Sequence, residues 1–391
     1  MNKLSSYLQL DSYDSTSRRI LWILFLLLIT FNIFSTAAGQ FLVSLTIIFS
    51  FALIIFKKNF SFLKNTLVYL YSLFAVLSLI SVFLSVDFTA SSKNIPFIII
   101  FNFSFIACLY AINNLNSEKL NLIFSFLFTT ALIASIYGSL SFFLEWSERA
   151  QSTTSGYYTL GIYLTSVLSL GLFSAKNEKI FPKKIYWYIF IIIIFAGIFF
   201  TLNRVHWVAA GILILICGIM KERFLLLLLI IVSVLALIFV PEVNERFSML
   251  LNITEFTSDR NFLWQGFIQL MGQRPVTGFG PNTFSIIFPL KNEIVDKSIN
   301  SWHNDFVQIY MERGIFALLI YVSIYVFVCI NFLKYIRDKK ILQNYKYVLT
   351  GIFLALSVFF FAGGSFDPIG NITYSVILSI FILYTKPNSF T

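Results

Sequence analysis

Charge is what this chain has least of. Of its 391 residues only 12% are Asp, Glu, Lys or Arg, against 58% hydrophobic. Soluble domains run to about a quarter charged, so a disordered, fibrous or soluble class is excluded. There are three cysteines, Cys108, Cys217 and Cys329, each inside an apolar run and without metal-ligand spacing. They read as small packing residues, and no disulfide framework follows. Two histidines are too few for a multi-histidine metal centre. The sequence has no Walker-type phosphate loop, HExxH, serine nucleophile elbow or calcium loop, and no segment reads as a soluble nucleotide-binding domain. An enzyme acting across a membrane from the cytoplasm would then draw on an activated donor already held in that membrane. No cleavable signal peptide is expected, because the first apolar run after Arg18 and Arg19 is too long and lacks a small-residue cleavage site.

Apolar runs fill the space that charge leaves. Phe alone occurs 47 times, and nearly uncharged runs recur from end to end. Twelve candidate spans result: 20–38, 41–56, 66–86, 95–112, 120–145, 156–175, 185–203, 205–220, 224–241, 314–333, 347–366 and 372–385. Several are shorter than the roughly 20 residues that a perpendicular spanning helix needs. The expected fold class is an all-α polytopic membrane protein, with residues 1–391 as a single membrane domain.

The net charge of +10 is no nucleic-acid footprint once it is sorted by side. With the N-terminus in the cytoplasm, 19 of the 28 Lys and Arg fall inside and nine outside, whereas six acids fall inside and twelve outside. That bias is the positive-inside pattern, and twelve spans return the C-terminus to the cytoplasm. Ten of the eleven connections are short. The exception, 242–313, is expected to be extracytoplasmic and carries six of the nine outside basic residues. Long connections with amphipathic content are usually functional. Residues 261–271 (NFLWQGFIQLM) read as an amphipathic helix on the membrane surface or capping the bundle.

Three features could carry chemistry, all on the expected outer face. The first is residues 201–207 (TLNRVHW) at the end of span seven. Arg204 there is either a snorkelling helix-end residue or a guanidinium fork for phosphate, which Arg grips bidentately and Lys does not. His206, two residues on, would face away and reads as structural. The second feature is Ser258, Asp259 and Arg260, then Trp264, then residues 274–281 (RPVTGFGP) beginning at Arg274. Ser258 or Asp259 can cap the surface helix, and Gly278, Gly280 and Pro281 make a tight turn. The third runs from Trp302, His303, Asn304 and Asp305 to Glu312, Arg313 and Gly314. On a continuous helix His303 and Gly314 would share one face, about three turns apart. His303 is either a satisfied polar residue or a proton carrier.

Together these features resemble the O-antigen ligase and polymerase family of bacterial inner-membrane glycosyltransferases. The family's T-x-S-R-G-x-W stretch is TLNRVHW here, with Asn203 for Ser and Val205 for Gly. An Arg before a Trp-containing helix and a P-x-x-G-x-G turn are matched by DRNFLW and RPVTGFGPNTF. HN, nine residues, then Gly is matched by His303 and Asn304 through Gly314. The small residue that often follows four positions later is Leu318 here, a departure.

The resemblance implies a metal-independent fold like that of the GT-C glycosyltransferases, without a cofactor, at the periplasmic face of the inner membrane and with both termini cytoplasmic. It implies a donor glycan on undecaprenyl diphosphate and, as acceptor, either lipid A-core (ligase) or another lipid-linked repeat unit (polymerase). Arg204 and Arg260 would hold the diphosphate and His303 would act on the acceptor hydroxyl, with Asn304, Arg274 and Trp264 as further substrate contacts. Either Asn304 or Asp305 would orient the imidazole. The other readings are a relative that attaches glycan to protein and, from a different class, a polytopic transporter. No nucleic-acid partner is expected.

Overall fold

Each of the twelve apolar runs carries a helix. The computed structural model describes residues 15–58, 60, 64–113, 115, 117–153, 156–174, 178–220, 222–251, 258–294, 299–364 and 366–385. Among them the regular structure is wholly helical. In chain order the helices are α1 (Ser15–Phe31), α2 (Thr36–Phe56), α3 (Thr66–Phe83), α4 (Phe88–Ser92), α5 (Ile95–Ile112) and α6 (Ser117–Phe143). Then come α7 (Tyr157–Phe173), α8 (Lys184–Phe200), α9 (Arg204–Met220), α10 (Arg223–Phe239) and α11 (Pro241–Leu251). Last are α12 (Ser258–Leu270), α13 (Phe284–Ile287), α14 (Asp305–Arg337), α15 (Gln343–Ala362) and α16 (Pro368–Tyr384).

Among the described residues six helices, with α4 and α5 taken together, are long and apolar enough to cross a membrane: Thr36–Phe56, Thr66–Phe83, Phe88–Ile112, Glu118–Phe143, Asp305–Arg337 and Gln343–Ala362. Five more, α7 to α10 and α16, are apolar but only 17 residues long. At 1.5 Å per residue each is about 25 Å long, the lower end of what spans a hydrocarbon core. The first span differs from its expected bounds of 20–38. The helix stops at Phe31, and Ser35 caps a new one by accepting from Ala38 N–H.

The chain divides into two compact units. The first comprises residues 1–59, 104–247 and 330–391. Within it α7 is buried from Thr159 to Phe173 and α16 from Ile369 to Tyr384. A helix apolar on every side belongs in such a position. Small residues let its helices approach closely, as expected where lipid supplies no hydrophobic drive. Ser169 Oγ donates to Gly351 O at 2.8 Å across α7 and α15, and Ser135 Oγ to Ile193 O at 2.6 Å across α6 and α8. A Cβ on Gly171 would lie 2.4 Å from the Phe190 ring. Cys108 and Cys217 are buried and unoxidised in this unit, consistent with packing roles. Asp367 caps α16 through Ile369 N–H and Gly370 N–H, both at 3.0 Å. Burial pushes its carboxyl above the usual range, against these two amides and the Thr159 hydroxyl, which pull it down.

The second unit comprises residues 60–103 and 248–329. Its core joins Leu263, Leu270, Phe279, Phe284, Phe288, Ile294, Trp302, Val307 and Met311. The helix expected over 261–271 is present as α12, three residues longer at its start than read from sequence. Leu263, Gly266 and Leu270 are buried while Asn261, Trp264, Gln265, Ile268 and Gln269 are exposed, so one face packs and the opposite face is mixed polar and apolar.

Candidate active site

The glycine-rich turn and the start of α14 form one interlocked body within the second unit. Phe279 N–H donates to Met311 O at 2.7 Å, Gly280 N–H to Glu312 O at 3.0 Å, and Ile315 N–H to Pro275 O at 2.8 Å. These bonds take carbonyls at a helix end that would otherwise be orphaned. Gly314 makes this possible by leaving the helix, with φ 79° and ψ 179°, a region essentially reserved for glycine. α14 is therefore two helices meeting at a kink. From the other side Ser85 Oγ donates to Phe279 O at 3.0 Å and Ser91 Oγ to Pro281 O at 2.7 Å. The Glu312 carboxylate accepts from Asn282 N–H at 3.4 Å and Gln308 Nε2 at 3.2 Å.

This geometry corrects the expectation that His303 and Gly314 share a helical face. α14 begins at Asp305, His303 precedes it, and Gly314 is not helical. Gly314 serves the turn rather than a stripe below His303. The buried small side chain beyond the kink is Ala317 rather than position 318, where Leu318 is half-buried.

His303 itself has φ 49°, left-handed backbone that non-glycine residues adopt uncommonly. Such strain gathers at functional sites. Asn304 caps α14, its Oδ1 accepting from Val307 N–H at 3.1 Å and its carbonyl from Gln308 N–H at 2.8 Å. Its side-chain oxygen is thus engaged by the helix rather than by the imidazole. Asp305 is buried and His303 is exposed.

Three of the residues singled out from sequence meet in one cleft of about 80 Å³, lined by Leu263, Trp264, Trp302, His303, Asn304 and Val307. Trp302 was not singled out as a contact, although it directly precedes His303. It is 3% exposed and packs edge-on against Phe284 at 5.0 Å, fixing the cleft wall. An imidazole and a carboxamide beside indole faces suit a sugar, which offers hydroxyls at its rim and C–H groups on its faces. Arg274 does not line the cleft; its carbonyl accepts from Gly278 N–H at 3.0 Å. Arg260 lies in the first turn of α12; its side chain, with those of Ser258 and Asp259, lies outside what is described.

Arg204 belongs to the first unit, as the first residue of α9. The turn before it is tight, with Leu202 at φ 51°. Asn203 Oδ1 accepts from Val205 N–H at 3.1 Å, so Asn here performs the capping for which Ser is equally suited. Trp207 Nε1 donates to Phe199 O at 2.9 Å, and the two rings stack at 4.8 Å. His206 is fully buried, its Nε2 3.2 Å from Tyr158 O, which agrees with a structural role.

Helices long and apolar enough to cross a membrane, with a polar, aromatic cleft at the start of one of them, are consistent with a polytopic helical membrane protein. Residues 189–322, from within α8 to within α14, match the family model described as O-antigen ligase. The match, about a third of the chain, contains Arg204, Arg260, Trp264, Arg274, His303 and Asn304. No curated protein matches the chain.

Proposed function

We propose that the protein is an O-antigen ligase-type glycosyltransferase, moving a glycan from undecaprenyl diphosphate to a sugar of lipid A-core at the periplasmic face of the bacterial inner membrane. Residues 1–391 act as one membrane domain of twelve spans with cytoplasmic ends, and residues 242–313 are its periplasmic segment. The observation that carries this reading is the cleft joining His303, Asn304 and Trp264 within the family-matched region. In the step proposed, the acceptor hydroxyl oxygen attacks the anomeric carbon. The bond from that carbon to the diphosphate oxygen breaks, and undecaprenyl diphosphate departs with the electron pair. The hydroxyl proton passes to the neutral imidazole of His303. Arg204 and Arg260 stabilise the charge developing on the diphosphate, so no metal is needed.

A strain lacking the protein is expected to lose all O-antigen from its lipopolysaccharide and to accumulate lipid-linked polymer. A single repeat unit left on the core would instead make the protein a polymerase. Normal glycan together with a lost solute flux would make it a transporter.

Two further results are expected of the purified protein. Arg204→Lys loses most transfer although the charge is kept, because an ammonium cannot replace the bidentate fork; full complementation by the Lys variant would mean that Arg204 only snorkels. Turnover also survives EDTA, and complete loss restored by magnesium would contradict metal independence.

A further inference from the structure

Arg149 lies in the connection between α6 and α7, which none of the motifs includes. Ala150 N–H donates to Phe200 O at 2.8 Å, tying the connection to the end of α8. Phe200 and Arg204 are four residues apart, at most about 15 Å of backbone. Ser147 Oγ donates to Arg149 O at 2.8 Å, closing the loop on itself. The Arg149 guanidinium sits over the Tyr157 ring, 4.2 Å from its centroid. Tyr158, the next residue, offers its carbonyl to His206 and lies ring to ring with it at 5.1 Å. Arg149 and the start of α9, where Arg204 lies, are therefore tied to the same end of the first unit through Phe200, Tyr157 and Tyr158.

The charges around Arg149 are unbalanced. It is half-buried, and Glu145 and Glu148 on the same connection are exposed. Among the described residues neither closes a salt bridge with it. A guanidinium stacked on an aromatic face keeps its in-plane N–H groups for an oxyanion. Loss of rotamer freedom has already been met by the tyrosine seat, so a bound phosphate need not order the side chain.

We propose that Arg149, seated on Tyr157, is a second basic contact for the phosphate-bearing group that Arg204 binds, namely the diphosphate of the lipid-linked donor. This rests on the reading of Arg204 given above. A phospholipid headgroup carries the same chemistry, and the test separates the two sources. Full-length protein is placed in phosphatidylcholine nanodiscs, and farnesyl diphosphate binding is measured for wild type, Arg149→Gln, Arg149→Lys and Arg204→Lys. Each variant is accepted only if it elutes and melts like wild type. Losing a charged hydrogen-bonding partner is expected to weaken binding roughly 10- to 100-fold in Arg149→Gln, with Arg149→Lys in between. In turnover the donor KM should rise far more than kcat falls, as for a contact made equally in ground and transition states. Unchanged binding in both Arg149 variants, with binding lost in Arg204→Lys, would overturn the proposal and leave the Arg204 reading intact. Unchanged farnesyl diphosphate binding with lost retention of added phosphatidylglycerol would make Arg149 a headgroup seat, which also overturns it. Insensitivity of farnesyl diphosphate binding to Arg204 and Arg149 alike would remove the underlying reading as well.

Discussion

His303→Ala is expected to lower glycan transfer about 10²–10⁴-fold, the usual cost of removing a positioned general base, while the protein still folds and binds lipid-linked donor. The residue lines the cleft, is exposed, and holds a left-handed backbone just before α14. A competing account is purely conformational, in which the left-handed residue only launches the helix. Asn separates the two, because it adopts that backbone readily and hydrogen-bonds well, yet cannot act as a base. Single-turnover transfer by His303→Asn should be as poor as by His303→Ala. Near-native transfer by the Asn variant would take His303 out of the mechanism.

Gly314→Ala is expected to be the most damaging substitution to the fold itself. Its backbone, at φ 79° and ψ 179°, costs a non-glycine residue about 1–3 kcal/mol. In addition a Cβ there would lie 2.0 Å from Val276 O, so the backbone of the glycine turn must move. The bond from Ile315 N–H to Pro275 O goes with it, and the lock between turn and helix opens. Gly272→Ala is the control, since a Cβ at Gly272 meets nothing within 4 Å. Size-exclusion chromatography after a temperature ramp in detergent should show early loss of the Gly314→Ala peak and a wild-type profile for Gly272→Ala. Equal profiles for the two would mean that the kink is dispensable.

The helices were legible because apolar runs between charged breaks are a one-dimensional signal, and each of the twelve carries one. Helix ends were less so. The break at 32–35 lies inside an apolar stretch, where Ser35 caps a helix without any change in hydropathy. Gly314 stood out as a motif residue, but a glycine opening an apolar run reads as a small face on a helix. Its true conformation depends on Pro275 and Val276, some forty residues earlier. Ser85 and Ser91 grip the same turn from about 190 residues away and carry no local signal. Asn203 was read only as a motif position and Asn304 for its chemistry, yet both side chains cap helices. For Asn304 capping was the signal overlooked: Asn directly before an acidic residue and an apolar run is an N-terminal signature. His206 was legible because two residues on a helix turn a side chain well away from Arg204.

The central claim is that this chain breaks the bond between a glycan and undecaprenyl diphosphate by transferring the glycan to a sugar hydroxyl. Purified protein in proteoliposomes, given undecaprenyl-diphosphate-linked glycan and lipid A-core, tests it by following both products. The expected result is lipid A-core that gains the glycan as undecaprenyl diphosphate is released in equal amount, with both losses together in His303→Asn. Release of no undecaprenyl diphosphate, with either lipid A-core or a second lipid-linked repeat unit as acceptor, would contradict it.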